Sequence, residues 1–210
     1  MAKAPPVDRR RQILDAAIRV FARQGFHACR VSDIAREAGV AYGLVYHYFD
    51  TKDQVLNELF EERWSLLLAA IDEVDARDVP TREKLDAVAG FIIDSYRHDP
   101  ELMKVIIVEV TRAANSFGRT HLPEITSAYE KIAKIVEGAQ KAGEFRSDID
   151  PMLASMWFYG AIEQLLSGWV FELIGDSDAD FDRAREMVVD TICGGLAAPG
   201  GKAKTNGTRD

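Results

Sequence analysis

Apolar residues recur every three or four positions along nearly the whole chain, which is the spacing of one face of an α-helix. The first such segment is Asp8–Gln24, and Gly25 directly after it is a helix-terminating residue. The apolar stripe of this segment consists of Ile13, Leu14, Ala17, Ile18, Val20 and Phe21. The alternation of period two that is typical of a half-buried strand is missing. The pattern therefore predicts an all-α protein.

Two short segments follow, Val31–Val40 and Tyr42–Phe49, and Gly39 ends the helix of the first. Two short helices joined at a glycine form the helix-turn-helix pattern, which predicts a three-helix domain over residues 8–50. A helix of about two turns is not stable alone. We therefore expect four side chains of the second segment to pack into a small core: Leu44, Val45, Tyr48 and Phe49. The remaining side chains of that segment then form its outer face: Tyr42, Gly43, Tyr46 and His47.

Longer periodic segments occupy the remainder of the chain and predict a second, helical domain over residues 51–197. The predicted helices are Thr51–Asp75, Thr81–His98, Glu101–Arg112, Leu122–Ala142, Asp150–Ile174 and Asp180–Leu196. The tail at 198–210 is rich in small and polar residues, so we expect it to be disordered.

The segment Met152–Ile174 is apolar nearly all the way around. A membrane span is disfavoured because Glu163 and Gln164 fall at its centre, where polar groups are costly in lipid. A helix of this kind is instead buried against other helices. We expect helices 150–174 and 180–196 to pair with the same helices of a second copy as a four-helix bundle, which makes the protein a homodimer. Burial within the core of a monomer is the alternative.

Charge is distributed unevenly along the chain. Residues 1–50 carry eight Lys/Arg and five Asp/Glu, a net +3, and the remainder carries 18 and 29, a net −11. A basic start on an acidic body indicates that the start alone meets a polyanion. Asp8 is a plausible N-cap, which places Arg9, Arg10 and Arg11 at the positive end of the first helix. A nearby anion such as phosphate relieves that repulsion, and a frayed, solvated helix start explains it equally well.

The sequence offers no constellation of residues for catalysis or metal binding. Cys29 and Cys193 lie far apart, the four histidines are dispersed, and no HExxH, GxSxG or P-loop motif occurs. We therefore expect neither an enzyme nor a cofactor or metal site. The N-terminus lacks the apolar core of a signal peptide, which favours a cytoplasmic protein with reduced thiols.

The stretch FARQGFHACRVSDIAREAGVAYGLVYHYFDTKDQVL, residues 21–56, resembles the DNA-binding domain of the TetR/AcrR regulators. The residues that carry the resemblance are Phe21, Gly25, Phe26, Val31, Ile34, Ala35, Ala38, Gly39, Val40, Gly43, Tyr46, Phe49, Lys52 and Leu56. The resemblance implies a dimer that places the helix at 42–49 of each copy in the major groove of a roughly palindromic double-stranded DNA operator. It also implies that the second domain binds a ligand and supplies the dimer contacts.

Four positions depart from the family pattern. Ala41 stands where Ser or Thr is frequent, and loss of a hydroxyl N-cap typically costs about 1 kcal/mol. Leu44 replaces a small or hydroxylated residue, and Cys29 and Arg30 replace a Thr-Thr pair. These departures leave DNA binding intact as a prediction, but the operator sequence does not follow from analogy.

Three residues are predicted to contact phosphate. Lys52 lies near the start of the fourth helix, where exposed N–H groups and the helix dipole also favour an anion, so we expect a phosphate clamp. Tyr46 and His47 are expected to donate hydrogen bonds to phosphate. The alternatives are a solvated surface lysine for Lys52, core packing for Tyr46 and an ordinary exposed histidine for His47.

Four further residues are predicted at the DNA surface. Tyr42 and Gly43 lie at the leading end of the recognition helix, which is the end that contacts bases in helix-turn-helix proteins. The tyrosine offers a hydroxyl or a ring face for a thymine methyl group, and the glycine allows close approach. Arg30 and Ser32, at the start of the second helix, are phosphate candidates, and Arg30 is also long enough to reach a guanine edge.

The candidates for the ligand site are large or polar residues on otherwise apolar helices. They are Trp64, Phe91, Met103, Ile107, Glu109, Arg112, Phe117, Trp157 and Glu163. Plain core packing is the alternative for the apolar members. Glu109 and Arg112 lie three positions apart on one helical face, so a salt bridge between them is as plausible as ligand recognition.

The combined pattern predicts a ligand-responsive transcriptional regulator. We expect a repressor that a small hydrophobic effector releases from its operator. The length and hydrophobicity of the second domain resemble family members that sense fatty acyl-CoA. The alternative function is a helical protein-interaction module that does not bind DNA.

Overall fold

The computed structural model describes residues 8–111 and 120–197, and at residues 109–111 it describes the backbone alone. The described part contains nine α-helices, so the all-α prediction is confirmed. They are α1 (Arg9–Gln24), α2 (Val31–Glu37), α3 (Tyr42–Tyr48), α4 (Lys52–Asp75), α5 (Thr81–His98), α6 (Pro100–Thr111), α7 (Leu122–Lys141), α8 (Pro151–Val170) and α9 (Asp178–Leu196). An isolated β-bridge joins Phe145 and Ala197.

The chain divides into two compact units. Unit 1 comprises Met1–Ser65 and Ser95–His121, and unit 2 comprises Leu66–Asp94 and Leu122–Asp210. This division by contacts differs from the functional division at residue 50 that the sequence predicts. The first half of α4 and all of α6 belong to unit 1, where Val105 of α6 is part of the buried core. The tail at 198–210 lies outside the described residues.

The core of unit 1 is formed by the apolar stripe of α1 and the inner faces of α2, α3 and α4. Its most completely buried large side chains include Ile13, Leu14, Ile34, Phe49 and Leu59. These residues hold α2 and α3 in place although each of the two helices has only seven residues. Packing rather than intrinsic helix propensity therefore fixes these short helices.

Asp8 caps α1, as the sequence predicts, because its carboxylate accepts the backbone N–H groups of Arg10 and Arg11 at 3.0 and 3.1 Å. Two of the three arginine side chains meet a nearby anion, which is a carboxylate of α4 in each case. Arg10 forms an ion pair with Glu58 of α4, and the Arg11 guanidinium lies 3.0 Å from a carboxylate oxygen of Glu62. Neighbouring carboxylates therefore relieve part of the repulsion at this helix start.

Unit 2 combines interdigitated apolar side chains with charged pairs. Ile132 of α7 and Ile162 of α8 are fully buried. Between α5 and α9, the Arg185 guanidinium forms two hydrogen bonds with the Asp86 carboxylate, one of them 2.8 Å long. Gly90 leaves room for this guanidinium, because a Cβ there would lie 3.0 Å from an Arg185 nitrogen. The acid–base pair therefore joins two helices that are distant in sequence.

The helix predicted at Asp150–Ile174 is shorter in the structure and ends at Val170. Glu172 adopts a left-handed conformation, with φ at 56°, and its N–H bonds to the carbonyl of Trp169 at 3.0 Å. The next residue, Leu173, donates to the carbonyl of Gly168 at 2.8 Å. These two bonds form a Schellman C-cap, which usually has Gly or Asn at the left-handed position. The sequence prediction was wrong here because glutamate gives no such signal.

Candidate nucleic-acid interface

The turn between α2 and α3 is built on Gly39. Its φ of 64° is a left-handed conformation that favours glycine. The N–H of Gly39 donates to the carbonyl of Arg36 at 3.1 Å, and that of Val40 donates to Ala35 at 3.0 Å. These bonds end α2 sharply, so the chain enters α3 in a new direction. The helix-turn-helix arrangement predicted from the sequence is therefore present.

Helix α3 is held to unit 1 by its inner face. Val45 and Phe49 are buried, whereas Leu44 and Tyr48 are half buried. Ala41 at the N-cap makes no side-chain hydrogen bond, as expected for a residue without a hydroxyl group. Since the helix has only seven residues and no side-chain cap, apolar packing is what holds it.

The outer face of α3 consists of the four residues that the sequence analysis placed there. Tyr42, Gly43, Tyr46 and His47 are all exposed, and the two tyrosines expose 54% and 43% of their surface. Aromatic side chains of this size are usually more buried in a soluble protein. Their contact with DNA stays a prediction. A side chain must be exposed to contact DNA, and these four residues are exposed.

Tyr42 and Tyr46 form a pair on this face. Their hydroxyl oxygens lie 3.1 Å apart, within hydrogen-bonding distance, and their rings meet edge to face with centroids 5.1 Å apart. The hydrogen bond to Tyr42 raises the pKa of Tyr46, with smaller contributions from desolvation and from the charge of Tyr42. The Tyr46 hydroxyl therefore stays protonated at neutral pH.

The start of α2 presents Arg30 and Ser32, and both residues are exposed. The Asp33 carboxylate accepts the backbone N–H of Arg30 at 3.0 Å. This bond holds the pKa of Asp33 below its usual value, and the nearby Arg36 guanidinium lowers it further. The ionised carboxylate thus fixes the backbone from which the Arg30 and Ser32 side chains project.

The structure gives Lys52 contacts that compete with the predicted phosphate clamp. Its ammonium group donates to the backbone carbonyls of Phe26, His27 and Cys29 at 2.8, 3.3 and 3.1 Å. It also lies 4.5 Å from the centre of the Phe26 ring. An ammonium has three N–H donors, so these carbonyls occupy all of them. We therefore propose that Lys52 ties the α1–α2 loop to the start of α4, in place of the phosphate contact predicted from the sequence.

The ligand-site candidates fall into three groups. In unit 1, Trp64, Met103 and Ile107 are buried, and the Trp64 ring stacks on Phe60 with centroids 4.8 Å apart. The Arg112 and Phe117 positions and the Glu109 side chain lie outside the described residues. The candidates in unit 2 are Phe91, Trp157 and Glu163.

Within unit 2, Trp157 exposes 63% of its surface. It lies on the outer side of α8 rather than in an interior, so the structure favours a surface contact over pocket lining for this residue. Phe91 and Glu163 are half buried. Desolvation raises the pKa of Glu163, whose charge also contributes to the raised pKa of Tyr129 on α7.

His121 was missed by the sequence analysis as a structural centre of unit 1. It is 1% exposed, its Nε2 lies 3.1 Å from the Asn57 side-chain oxygen, and its ring lies 4.2 Å from that of Phe60. Its partners Asn57 and Phe60 lie on α4, more than sixty positions earlier in the chain. No local pattern marks such a residue, because its partners are distant in sequence.

No helix in the described part of the chain is long and apolar enough to cross a membrane. Among residues 8–111 and 120–197, no group of three or more metal-ligating side chains is brought together.

Two family models match the chain. The model of bacterial regulatory proteins of the tetR family matches residues 13–59, which contain α2, α3 and the turn between them. The model of the tetracyclin repressor-like C-terminal domain matches residues 82–192, more than half of the chain.

The chain belongs to the TetR family. It is a ligand-responsive transcriptional regulator, which confirms the function predicted from the sequence, and the alternative of an interaction module without DNA binding is not favoured. Members of this TetR family are regulators rather than enzymes.

Curated relatives extend the similarity over most of this TetR-family chain. The fatty acid metabolism regulator protein of Bacillus subtilis (strain 168) is 31% identical over 187 residues, which cover 88% of this chain and 94% of the relative. The HTH-type transcriptional repressor KstR2 of Rhodococcus jostii (strain RHA1) is 30% identical over 158 residues, 71% of this chain and 78% of that one.

Solved structures show the same likeness in three dimensions. The transcriptional regulator FadR of Bacillus subtilis, in complex with stearoyl-CoA, superposes with a TM-score of 0.77 at 28% identity, over 89% of this chain and 98% of that chain. The fatty acid degradation regulator FadR of Bacillus halodurans gives a TM-score of 0.78 at 26% identity, with the same coverage of both chains.

Proposed function

We propose that this TetR-family chain is a cytoplasmic repressor that binds a roughly palindromic operator as a dimer and is released by a long-chain fatty acyl-CoA. The observation that carries the proposal is the similarity, over nearly the full length of both chains, to a fatty acid metabolism regulator and to a FadR structure that holds stearoyl-CoA. Residues 8–50 supply the DNA-binding function, and residues 51–197 supply the ligand and dimer contacts.

The exposed face of α3 supports the DNA-binding part of the proposal. Tyr42, Tyr46 and His47 offer polar groups there, and apart from its chain neighbours and the backbone of its own helix, nothing lies within 4 Å of the position where a Gly43 Cβ would be. In a dimer, the two recognition helices are separated by about one turn of DNA, ~34–36 Å, or a multiple of it. Arg30 and Ser32 flank this face and contact the phosphates.

Apolar side chains exposed on α8 and α9 support the dimer. Leu153, Met156 and Trp157 project from one side of α8, and Met187 is exposed on α9. Exposed apolar groups that share one helical face are typical of a protein–protein contact. Gly160 continues the α8 face with open space beyond it, so a helix of the second copy can approach closely there.

Apolar interior groups support a lipid-like effector. In unit 1, Trp64, Met103 and Ile107 are buried apolar side chains that an acyl chain can contact.

The effector acts through a shift between two states of the dimer. The acyl-CoA binds more tightly to the state in which the two recognition helices no longer fit successive grooves. A tenfold loss of operator affinity requires only ~1.4 kcal/mol of difference in ligand binding between the two states.

The proposal is tested with a duplex that the protein itself selects from a randomised pool. We expect a gel shift with this duplex that stearoyl-CoA abolishes, whereas free CoA and stearate at the same concentration leave it in place. Mass spectrometry of the denatured, freshly purified protein identifies any co-purified acyl-CoA. A selected duplex that stays bound at saturating stearoyl-CoA overturns the effector assignment, and failure to select any duplex overturns DNA binding.

A further inference from the structure

The two tyrosines on the outer face of α3 contact each other before any DNA is present. Tyr42 and Tyr46 are one helical turn apart, so their side chains lie above one another on the same face. Their hydroxyl oxygens are separated by 3.1 Å and their rings pack at an interplanar angle of 70°. Edge-to-face packing of this kind is favourable for aromatic rings. Each ring therefore restricts the rotamers of the other.

The hydrogen bond between the two hydroxyls limits what the pair can offer to DNA. Each tyrosine hydroxyl has one O–H donor. When one hydroxyl donates to the other, its own proton is used, and only the accepting hydroxyl keeps a proton for a third group. The pair therefore presents one outward donor, and the position of that donor depends on both side chains.

We propose that Tyr42 and Tyr46 contact DNA as a coupled tyrosine pair, in which one hydroxyl orients the other toward a hydrogen-bond acceptor on the duplex. This inference rests on the proposed operator binding and adds a coupling between two residues that the sequence analysis treated as separate contacts. Because the ring contact already limits the rotamers, less side-chain entropy is lost on binding than for two independent tyrosines.

The hydrogen-bond acceptor on DNA belongs either to the phosphate backbone or to a base edge. A phosphate oxygen is one source, and a major-groove acceptor such as thymine O4 or a purine N7 is the other. A phosphate contact strengthens binding to every duplex equally, whereas a base contact strengthens binding to the operator alone. Comparison of a selected duplex with an unrelated duplex of the same length separates the two sources.

The test is a double-mutant cycle with full-length protein. Tyr42→Phe, Tyr46→Phe and the double variant remove the hydroxyls and keep the rings. Tyr48→Phe, on the half-buried side of α3, is the matched control for loss of a tyrosine hydroxyl. Affinities for the duplex selected by wild-type protein and for the unrelated duplex are measured by fluorescence anisotropy at one salt concentration. Circular dichroism confirms that each variant is folded.

A shared contact predicts non-additive losses. A net hydrogen bond of about 0.5–1.5 kcal/mol corresponds to roughly a twofold to tenfold loss of affinity for each single variant. The double variant then loses about the same factor as one single variant, because one substitution removes the outward donor and the other removes the hydroxyl that orients it, so both disrupt the same contact. Tyr48→Phe leaves the affinity unchanged.

Two results would overturn the proposal of a coupled tyrosine pair. If the loss for the double variant equals the product of the single losses, the tyrosines make independent contacts. If neither single variant loses affinity, the pair does not contact DNA. Both results leave the proposed function standing, because wild-type protein still binds the selected duplex. If wild-type protein selects no duplex, the proposed function is wrong, and the proposal of a coupled tyrosine pair is wrong with it.

Discussion

Replacing Lys52 by methionine removes a cation but keeps an unbranched side chain of similar length. In the wild-type protein, the ammonium donates to the carbonyls of Phe26, His27 and Cys29 and lies over the Phe26 ring. These contacts join the start of α4 to the loop that precedes α2. The methionine variant leaves three carbonyl groups without this partner.

The size of the effect follows from these contacts. A hydrogen bond to a charged group contributes about 1.5–3 kcal/mol. Lys52 is only half buried, its three bonds share one charge, and water partly replaces the lost partner. We therefore expect Lys52→Met to destabilise unit 1 by about 3 kcal/mol in total rather than by the sum of three full bonds.

Two assays separate this role from a phosphate contact. Urea unfolding, followed by circular dichroism, measures the stability loss. The dependence of DNA affinity on salt counts phosphate contacts, since each contact contributes about 0.9 to the slope. We expect the slope of Lys52→Met to equal that of wild type. Lys104→Met, at an exposed position of α6, controls for the loss of one positive charge. A slope reduced by about 0.9 for each Lys52, with unchanged stability, refutes the loop-tying role.

Three further predictions concern unit 2. Glu172→Gly relieves a left-handed backbone and should raise the free energy of unfolding, measured in urea, by about 1 kcal/mol. The control Glu186→Gly, within α9, should lower it by about the same amount. If both substitutions change the free energy of unfolding equally, Glu172 does not form the C-cap. Because the folded-state pKa of Glu163 is raised, its ionisation lowers stability as pH rises above the unfolded-state value. Glu163→Gln should therefore stabilise more at pH ~8 than at pH ~4, and Glu130→Gln, at an exposed position of α7, is the control for loss of one carboxylate. Trp157→Asp should shift sedimentation from dimer to monomer, and an unchanged dimer refutes the α8 interface.

The helices were predictable because their signals are local. The bounds of α5 were predicted to the residue, and Asp8 was recognised as the cap of α1. The division of α3 into an inner and an outer face followed from helical spacing alone. Helix α9 begins two positions earlier than predicted, because Ser177 and Asp180 form a capping box there. A Ser-x-x-Asp box is a weaker sequence signal than one that ends in Glu or Gln.

The partners of charged side chains were not predictable in the same way. Lys52 meets carbonyls more than twenty positions earlier, and Arg185 meets Asp86 ninety-nine positions away. Periodicity gives the face on which a side chain lies but not the group that it meets across the core. The phosphate clamp predicted for Lys52 was a reasonable hypothesis from charge and position, and the three backbone carbonyls provide a competing partner that no local pattern reveals.

The central claim, that the outer face of α3 lies against DNA, is tested most directly by tethered cleavage. An iron chelate that cleaves DNA is attached through Ala41→Cys, at the exposed edge of this face, or through Gly138→Cys on the exposed side of α7. Cys29 and Cys193 are buried, and burial raises both of their thiol pKa values, that of Cys193 to about 11, so labelling is selective. We expect cleavage of the selected duplex in both half-sites from position 41 and none from position 138. Cleavage from position 138 alone, with DNA bound equally by both conjugates, contradicts the central claim.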